Sequence, residues 1–310
     1  MAKELAKEQQ TTGTTLTTQT ADGWALVADV SVPPAPRAVA VLGHAMMVDR
    51  RTMDRPRGQG LMSTLTEAGI AVLSFDLRGH GESGPNALDG ARYSYDDFVR
   101  QDIPAMVAAA RLRFPNLPVA VVGHSLTGHA AMIAAGLSPG TAPDAIVGLA
   151  PNLWAPRFEP SRRVRMKKSL ALGAWAAMTA PRGSFDSRLF RMGVAPEPWS
   201  YVRGFLRFWL DDELISDDGC DDYVRALGEA ELPVFVVSSA NDRLLARPAS
   251  VALFAAAMGR SRLSHRVLEG RGAPDHMGLV TDPGSRFLWR EIAEWILALD
   301  VQHDQDVSDT

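Results

Sequence analysis

Short apolar runs alternate with longer amphipathic ones along most of the chain. Ala38–Gly43, Ile70–Phe75, Val119–Gly123, Ala145–Leu149, Val234–Ser238 and Ser264–Leu268 are brief and rich in β-formers, the pattern of strands in the middle of a sheet. Between them, Gln59–Ala68, Tyr95–Phe114, Ser125–Leu137, Arg247–Met258 and Ser285–Ala298 read as helices. Ahead of this alternation, Thr14–Thr20 and Trp24–Val30 flank Asp22-Gly23, a turn pair that favours a hairpin. A hairpin followed by β–α repeats predicts an α/β fold: a mostly parallel central sheet with helices on both faces. Such sheets carry their chemistry at the carboxyl ends of the strands.

The alternation lapses from 152 to 230. That stretch holds Trp154, Trp175, Trp199 and Trp209, four of the seven tryptophans, and no convincing strand. It is too long for a plain loop and reads as a helical insertion. The expected organisation is a disordered polar end (1–12), a core in two pieces (13–151 and 231–300), the helical insertion (152–230) and a flexible polar tail (301–310).

Composition narrows the class. With 46% hydrophobic and 22% charged residues, the chain is neither disordered, collagenous nor coiled-coil. Its 310 residues bury enough surface to fold without a disulfide or metal, and Cys220 is the only cysteine, which fits a reducing compartment. A net charge of −4 lacks the basic excess of a nucleic-acid binder. No apolar run reaches a membrane span, and Lys3, Glu4, Lys7 and Glu8 do not suit a signal peptide. The expectation is a soluble cytoplasmic protein without stable membrane insertion, its oligomeric state open. The basic run Arg162 to Lys168 reads as a solvated helix face, and the acidic run around Cys220 lacks calcium-loop spacing, so no metal is assigned.

Candidate chemistry centres on Gly123-His124-Ser125-Leu126-Thr127-Gly128, where a buried strand runs straight into an Ala-rich helix. A turn that sharp needs small residues around the serine, and it leaves the hydroxyl at a helix N-terminus, where an amide can stabilise an oxyanion. This segment resembles the nucleophile elbow of the α/β-hydrolase superfamily, small-x-Ser-x-small. Thr127 stands where glycine is commonest, and Gly128 follows one place later. The order Ser…Asp/Glu…His then points to Asp242, after the strand Val234–Ser238, and to His276, after the strand Ser264–Leu268. Asp275 is the alternative acid, but adjacent residues orient each other poorly.

The resemblance implies a serine hydrolase with a lid, cleaving a carboxylic ester or related acyl bond of a small to medium hydrophobic substrate through an acyl-enzyme. Ser125 would be the nucleophile, His276 the base, and Asp242 the residue that fixes the imidazole. The backbone N–H groups of Leu126 and Met46 would form the oxyanion hole. The superfamily's His-Gly here reads His44-Ala45. Met47, Trp154, Met178 and Trp209 are candidate pocket residues. The segment Asp76-Leu-Arg-Gly-His-Gly-Glu-Ser-Gly84 fits both a superfamily loop and a dinucleotide fingerprint, but no helix opens at its third glycine, so no cofactor is expected. Acyl transfer or perhydrolysis by the same triad, or a silent binding protein on this scaffold, remain alternatives.

Overall fold

The computed structural model describes residues 14–308, with side chains as far as Leu299. The expected N-terminal disorder at 1–12 lies outside the described residues. Strands β1 (Thr14–Gln19), β2 (Ala25–Ser31), β3 (Ala38–Gly43), β4 (Ile70–Phe75), β5 (Val119–His124), β6 (Ala145–Leu149), β9 (Pro233–Ser239) and β10 (Arg262–Leu268) form one eight-stranded sheet in the order β1-β2-β4-β3-β5-β6-β9-β10. The hairpin strands run antiparallel, and the rest of the sheet is parallel. Every residue of β3, β4, β5 and β6 is buried, so these strands need no polar face and read as unbroken apolar runs.

The helices are α1 (Leu61–Glu67), α2 (Tyr95–Asp97) leading through one wider turn into α3 (Ile103–Arg113), α4 (Leu126–Leu137), α5 (Arg162–Thr179), α6 (Trp199–Asp211), α7 (Tyr223–Glu229), α8 (Pro248–Ala256), α9 (Gly278–Thr281) and α10 (Arg286–Ser308). Parallel register pairs Gly43 with both Phe75 and Gly123, and Gly123 with Gly148, so the loops after β3, β4, β5 and β6 leave from one edge. Among the described residues, no helix is long and apolar enough to cross a membrane.

Three expectations change. The run Ser264–Leu268 is not a middle strand: β10 ends the sheet and is mostly exposed, which explains its His265 and Arg266. The insertion contains a strand pair, β7 (Ser184–Phe185) against β8 (Glu197–Pro198), each too short to show a period. The expected tail at 301 does not start at a helix end, since α10 continues to Ser308 with no glycine or proline to stop it.

Two contacts tie the pieces together. The insertion leaves the sheet after β6 and returns before β9, and its α7 lies so close to α4 that a Cβ on Gly136 would fall 1.7 Å from the Ala226 carbonyl oxygen. Behind the sheet edge, Arg78 is buried. Asp102 accepts from its Nε at 2.7 Å and from its amide at 2.9 Å, and Asp22 accepts from its Nη1 at 2.8 Å. Without Asp102 the Arg78 Nε and amide lose their acceptors, although Asp22 and Asp97 still face the guanidinium. Asp102→Leu is therefore expected to lower unfolding stability by about 1–3 kcal/mol in urea titrations.

Candidate active site

Ser125 sits between β5 and α4 with φ 49° and ψ −104°, a backbone conformation that non-glycine residues avoid. Strain of this kind costs on the order of 1–3 kcal/mol and persists only where neighbours enforce it. Here the Ser125 amide donates to Leu149 O at 2.8 Å, and the Ser125 carbonyl accepts from His129 N at 3.1 Å. The strand–helix corner is as tight as the sequence implies: a Cβ on Gly123 would lie 2.4 Å from Gly128 N, and one on Gly128 2.7 Å from Gly123 O. Gly128 thus serves the close approach for which a glycine was expected at 127.

Thr127 has its own partner. Its hydroxyl donates to His44 O at 2.8 Å, and its side chain fills space over Gly43, where a Cβ would lie 2.2 Å from Thr127 Cγ2. The threonine and the missing Cβ at 43 are complementary, and together they bind the elbow to the loop after β3.

The His276 ring is anchored through Nδ1, which donates to Asp242 Oδ2 at 2.6 Å. Asp242 also accepts from the amides of Leu244 at 3.3 Å, Leu245 at 2.9 Å and Ala246 at 2.8 Å. Burial pushes this carboxyl up, but the bond from His276, its charge and the amides prevail and hold it below the usual range. Asp275 instead accepts from the Gly278 amide at 2.7 Å, so it is not the acid that meets the ring.

No hydrogen bond joins the Ser125 hydroxyl to His276 among the described residues; such contacts often tighten only with substrate bound. What brings the two loops together is His124. Its Nε2 donates to the His276 carbonyl at 3.0 Å, and the two rings lie 4.9 Å apart. Its Nδ1 is buried without a partner, and burial, then repulsion from His276, lowers its pKa to about 3. This contact was not anticipated from the sequence, although His124 stands beside the serine.

The Met46 amide makes no hydrogen bond among the described residues, and Leu126, first in α4, has no acceptor within its helix for its own amide. The loop before them is held by His44. Leu77 N donates to His44 Nε2 at 3.1 Å and His44 Nδ1 faces Ala45 O at 2.7 Å, so the ring is neutral with its proton on Nδ1. Burial, then the charge of His80, drops its pKa to about 3.

Of the candidate pocket residues, Trp154 and Trp209 meet, with ring centroids 6.3 Å apart, and Trp154 Nε1 donates to Leu245 O at 2.8 Å beside the Asp242 loop. Met178 is partly buried, and Met47 is buried. None of the four lines the open depression of about 610 Å³ formed by Asn241, Pro274, Asp275 and their neighbours. The basic run is not wholly a solvated face. Lys168 is buried, 3.1 Å from Glu159 Oε2 and 4.8 Å from the Trp154 ring centroid, while Arg247 bonds Glu159 Oε1 at 2.8 Å.

A sheet of this order, with a strained serine where its central strand enters a helix, is the architecture of the α/β-hydrolases. The chain belongs to the hydrolase family described as serine aminopeptidase, S33, whose model matches residues 43–270. No curated protein sequence matches it significantly. Among solved structures it is similar in fold to an esterase of Pyrococcus furiosus, at 16% identity and TM-score 0.61 over 96% of this chain and 93% of that one. It is likewise similar to Est1E of Butyrivibrio proteoclasticus, solved with ferulic acid bound, at 17% identity and TM-score 0.57 over 92% and 98%. A monoacylglycerol lipase of Paleococcus ferrophilus matches at 16% identity and TM-score 0.54 over 88% and 99%.

Two measurements follow from this geometry. Gly43→Ala should cost about 1–3 kcal/mol of stability through overpacking, and adding Thr127→Gly should recover part of the loss; additive effects in the cycle would refute the complementarity. His44, His124 and His129 all have pKa values near 3, against 6.5 when exposed. The unfolded chain therefore binds more protons between about pH 6.5 and 3, and stability falls as pH drops through that window. His129→Gln, which removes the ring facing the Tyr95 hydroxyl at 2.7 Å, should flatten that slope by up to one proton, about 1.4 kcal/mol per pH unit.

Proposed function

We propose that the protein hydrolyses carboxylic esters of small to medium hydrophobic acyl groups through an acyl-enzyme on Ser125. The observation that carries this reading is the strained serine whose neighbour His124 bonds the loop in which His276 is locked to a buried carboxylate by a 2.6 Å bond. His276 Nε2 would take the serine proton as the hydroxyl attacks the carbonyl, then return it to the leaving alcohol. With Nδ1–H held by Asp242, Nε2 is the free lone pair, and the imidazolium that forms is stabilised. The amides of Met46 and Leu126 would receive the oxyanion, and water would then cleave the acyl-enzyme by the same route in reverse.

The buried carboxylates of the insertion and of the candidate triad favour an ester over a peptide with a free N-terminus. An aminopeptidase needs an acid to meet the substrate's ammonium. Here Glu159 is taken by Lys168 and Arg247, Glu197 by His80, and Asp242 by His276. The insertion 152–230 would serve as a lid. Its paired indoles Trp154 and Trp209, with Met47 and Met178, would offer apolar surface to the acyl chain. The enzyme would work in the cytoplasm, where its exposed thiol Cys220 stays reduced.

A short p-nitrophenyl ester should be turned over, with Ser125→Ala losing all but background rate and Asp242→Asn losing about 10⁴ in kcat. Aminoacyl p-nitroanilides should be poor substrates. Failure of a fluorophosphonate to label Ser125 would overturn the mechanism.

A further inference from the structure

Met47, the residue after the candidate oxyanion donor Met46, lies in the left-handed region at φ 63° although it is not glycine. Both of its backbone polar groups are bound by the insertion. Its amide donates to Glu197 Oε1 at 2.8 Å, and its carbonyl accepts from Val194 N at 2.7 Å and Ala195 N at 2.9 Å. The approach is so close that a Cβ on Gly193 would lie 2.0 Å from the Met47 carbonyl oxygen. The segment 193–197 therefore grips the turn from both sides.

Glu197 is wholly buried and carries its own counter-ion, His80, whose Nε2 lies 3.1 Å from the same Oε1. His80 Nδ1 faces Arg78 O at 2.9 Å, so both ring nitrogens sit against acceptors and the ring is held as the cation. Burial opposes that charge, but the Glu197 carboxylate outweighs it and raises the His80 pKa. Tyr93 adds a longer contact, 3.4 Å from Oε2. A buried ion pair with an amide as third partner is costly to build, and the ester mechanism does not use it directly. It reaches the candidate site at the peptide joining Met46 to Met47 and where the His80 ring packs 5.0 Å from that of His44.

We infer that Glu197 is a positioning residue: from the insertion, its carboxylate fixes the Met46–Met47 peptide, the unit next to the Ala45–Met46 peptide that His44 holds and that carries the Met46 N–H, and so keeps Met46 from turning that N–H away from the developing oxyanion. This rests on the hydrolase reading above. An oxyanion donor acts only if it is placed before charge develops, and a displacement of about 1 Å can cost on the order of a hundredfold in rate. Because the donor matters in the transition state, loss of the grip should lower kcat and leave KM nearly unchanged.

The test compares Glu197→Met, which has similar length but no acceptor, with Glu197→Gln, which keeps an oxygen for the Met47 amide. Both are assayed on a p-nitrophenyl ester and with a boronic acid that mimics the tetrahedral intermediate. Glu197→Met should lose about a hundredfold in kcat at constant KM, with boronate affinity weakened in proportion to kcat/KM. Glu197→Gln should stay within about tenfold of wild type. If Glu197→Met does not fold, Gly193→Ala pushes on the same carbonyl from the other side and should show the same split. Wild-type turnover abolished by Ser125→Ala, together with unchanged kcat in the folded variants, would sink this inference alone. Absence of wild-type turnover and labelling would sink the hydrolase reading instead.

Discussion

The closeness of strand to helix at one corner governs the rest of the molecule. With β5 entering α4 through a single residue, Gly123 and Gly128 must lie in van der Waals contact, and Ser125 is left with a backbone conformation it would not choose. That strain is sustained by the sheet around it: the Ser125 amide is satisfied across the strand boundary by Leu149. The stiffness of the buried strands and the accessibility of one hydroxyl are thus two faces of the same constraint. A looser corner would relieve the serine and retract it.

Around the corner, histidines are used as structural parts in different charge states. His44, His124 and His129 are neutral because burial denies them a proton, and each contacts a partner suited to a neutral ring. His80, a few ångströms from His44, is held charged by a buried carboxylate. One ring type thus supplies acceptors, donors and a cation within one shell, and the protonation pattern is set by neighbours rather than by solvent.

Much of this was legible in the chain, and the reason is periodicity. Strands buried on both faces announce themselves as unbroken apolar runs, so β3 to β6 were placed almost to the residue. The elbow could be read because its steric demand selects small residues at fixed offsets. Asp242 and His276 followed from chain order, and the structure brings them into contact. Glu197 and Lys168 were illegible for the opposite reason. A buried charge is recognisable only by its partner, and theirs lie 117 residues away at His80 for the one, and across a turn at Glu159 for the other. Strands of two residues, such as β7 and β8, have no period at all. The edge position of β10 depends on topology rather than on its own composition.

The grip of segment 193–197 on Met47 bears on how such enzymes diversify. Insertions of this kind look like interchangeable modules, to be traded between scaffolds when a new specificity is wanted. Here the graft would remove an acceptor that the scaffold's own turn relies on, leaving the Met47 amide and the His80 cation buried and unmatched. A successful transplant would have to bring its own carboxylate or redesign the recipient turn, so in this chain scaffold and insertion form one physical unit.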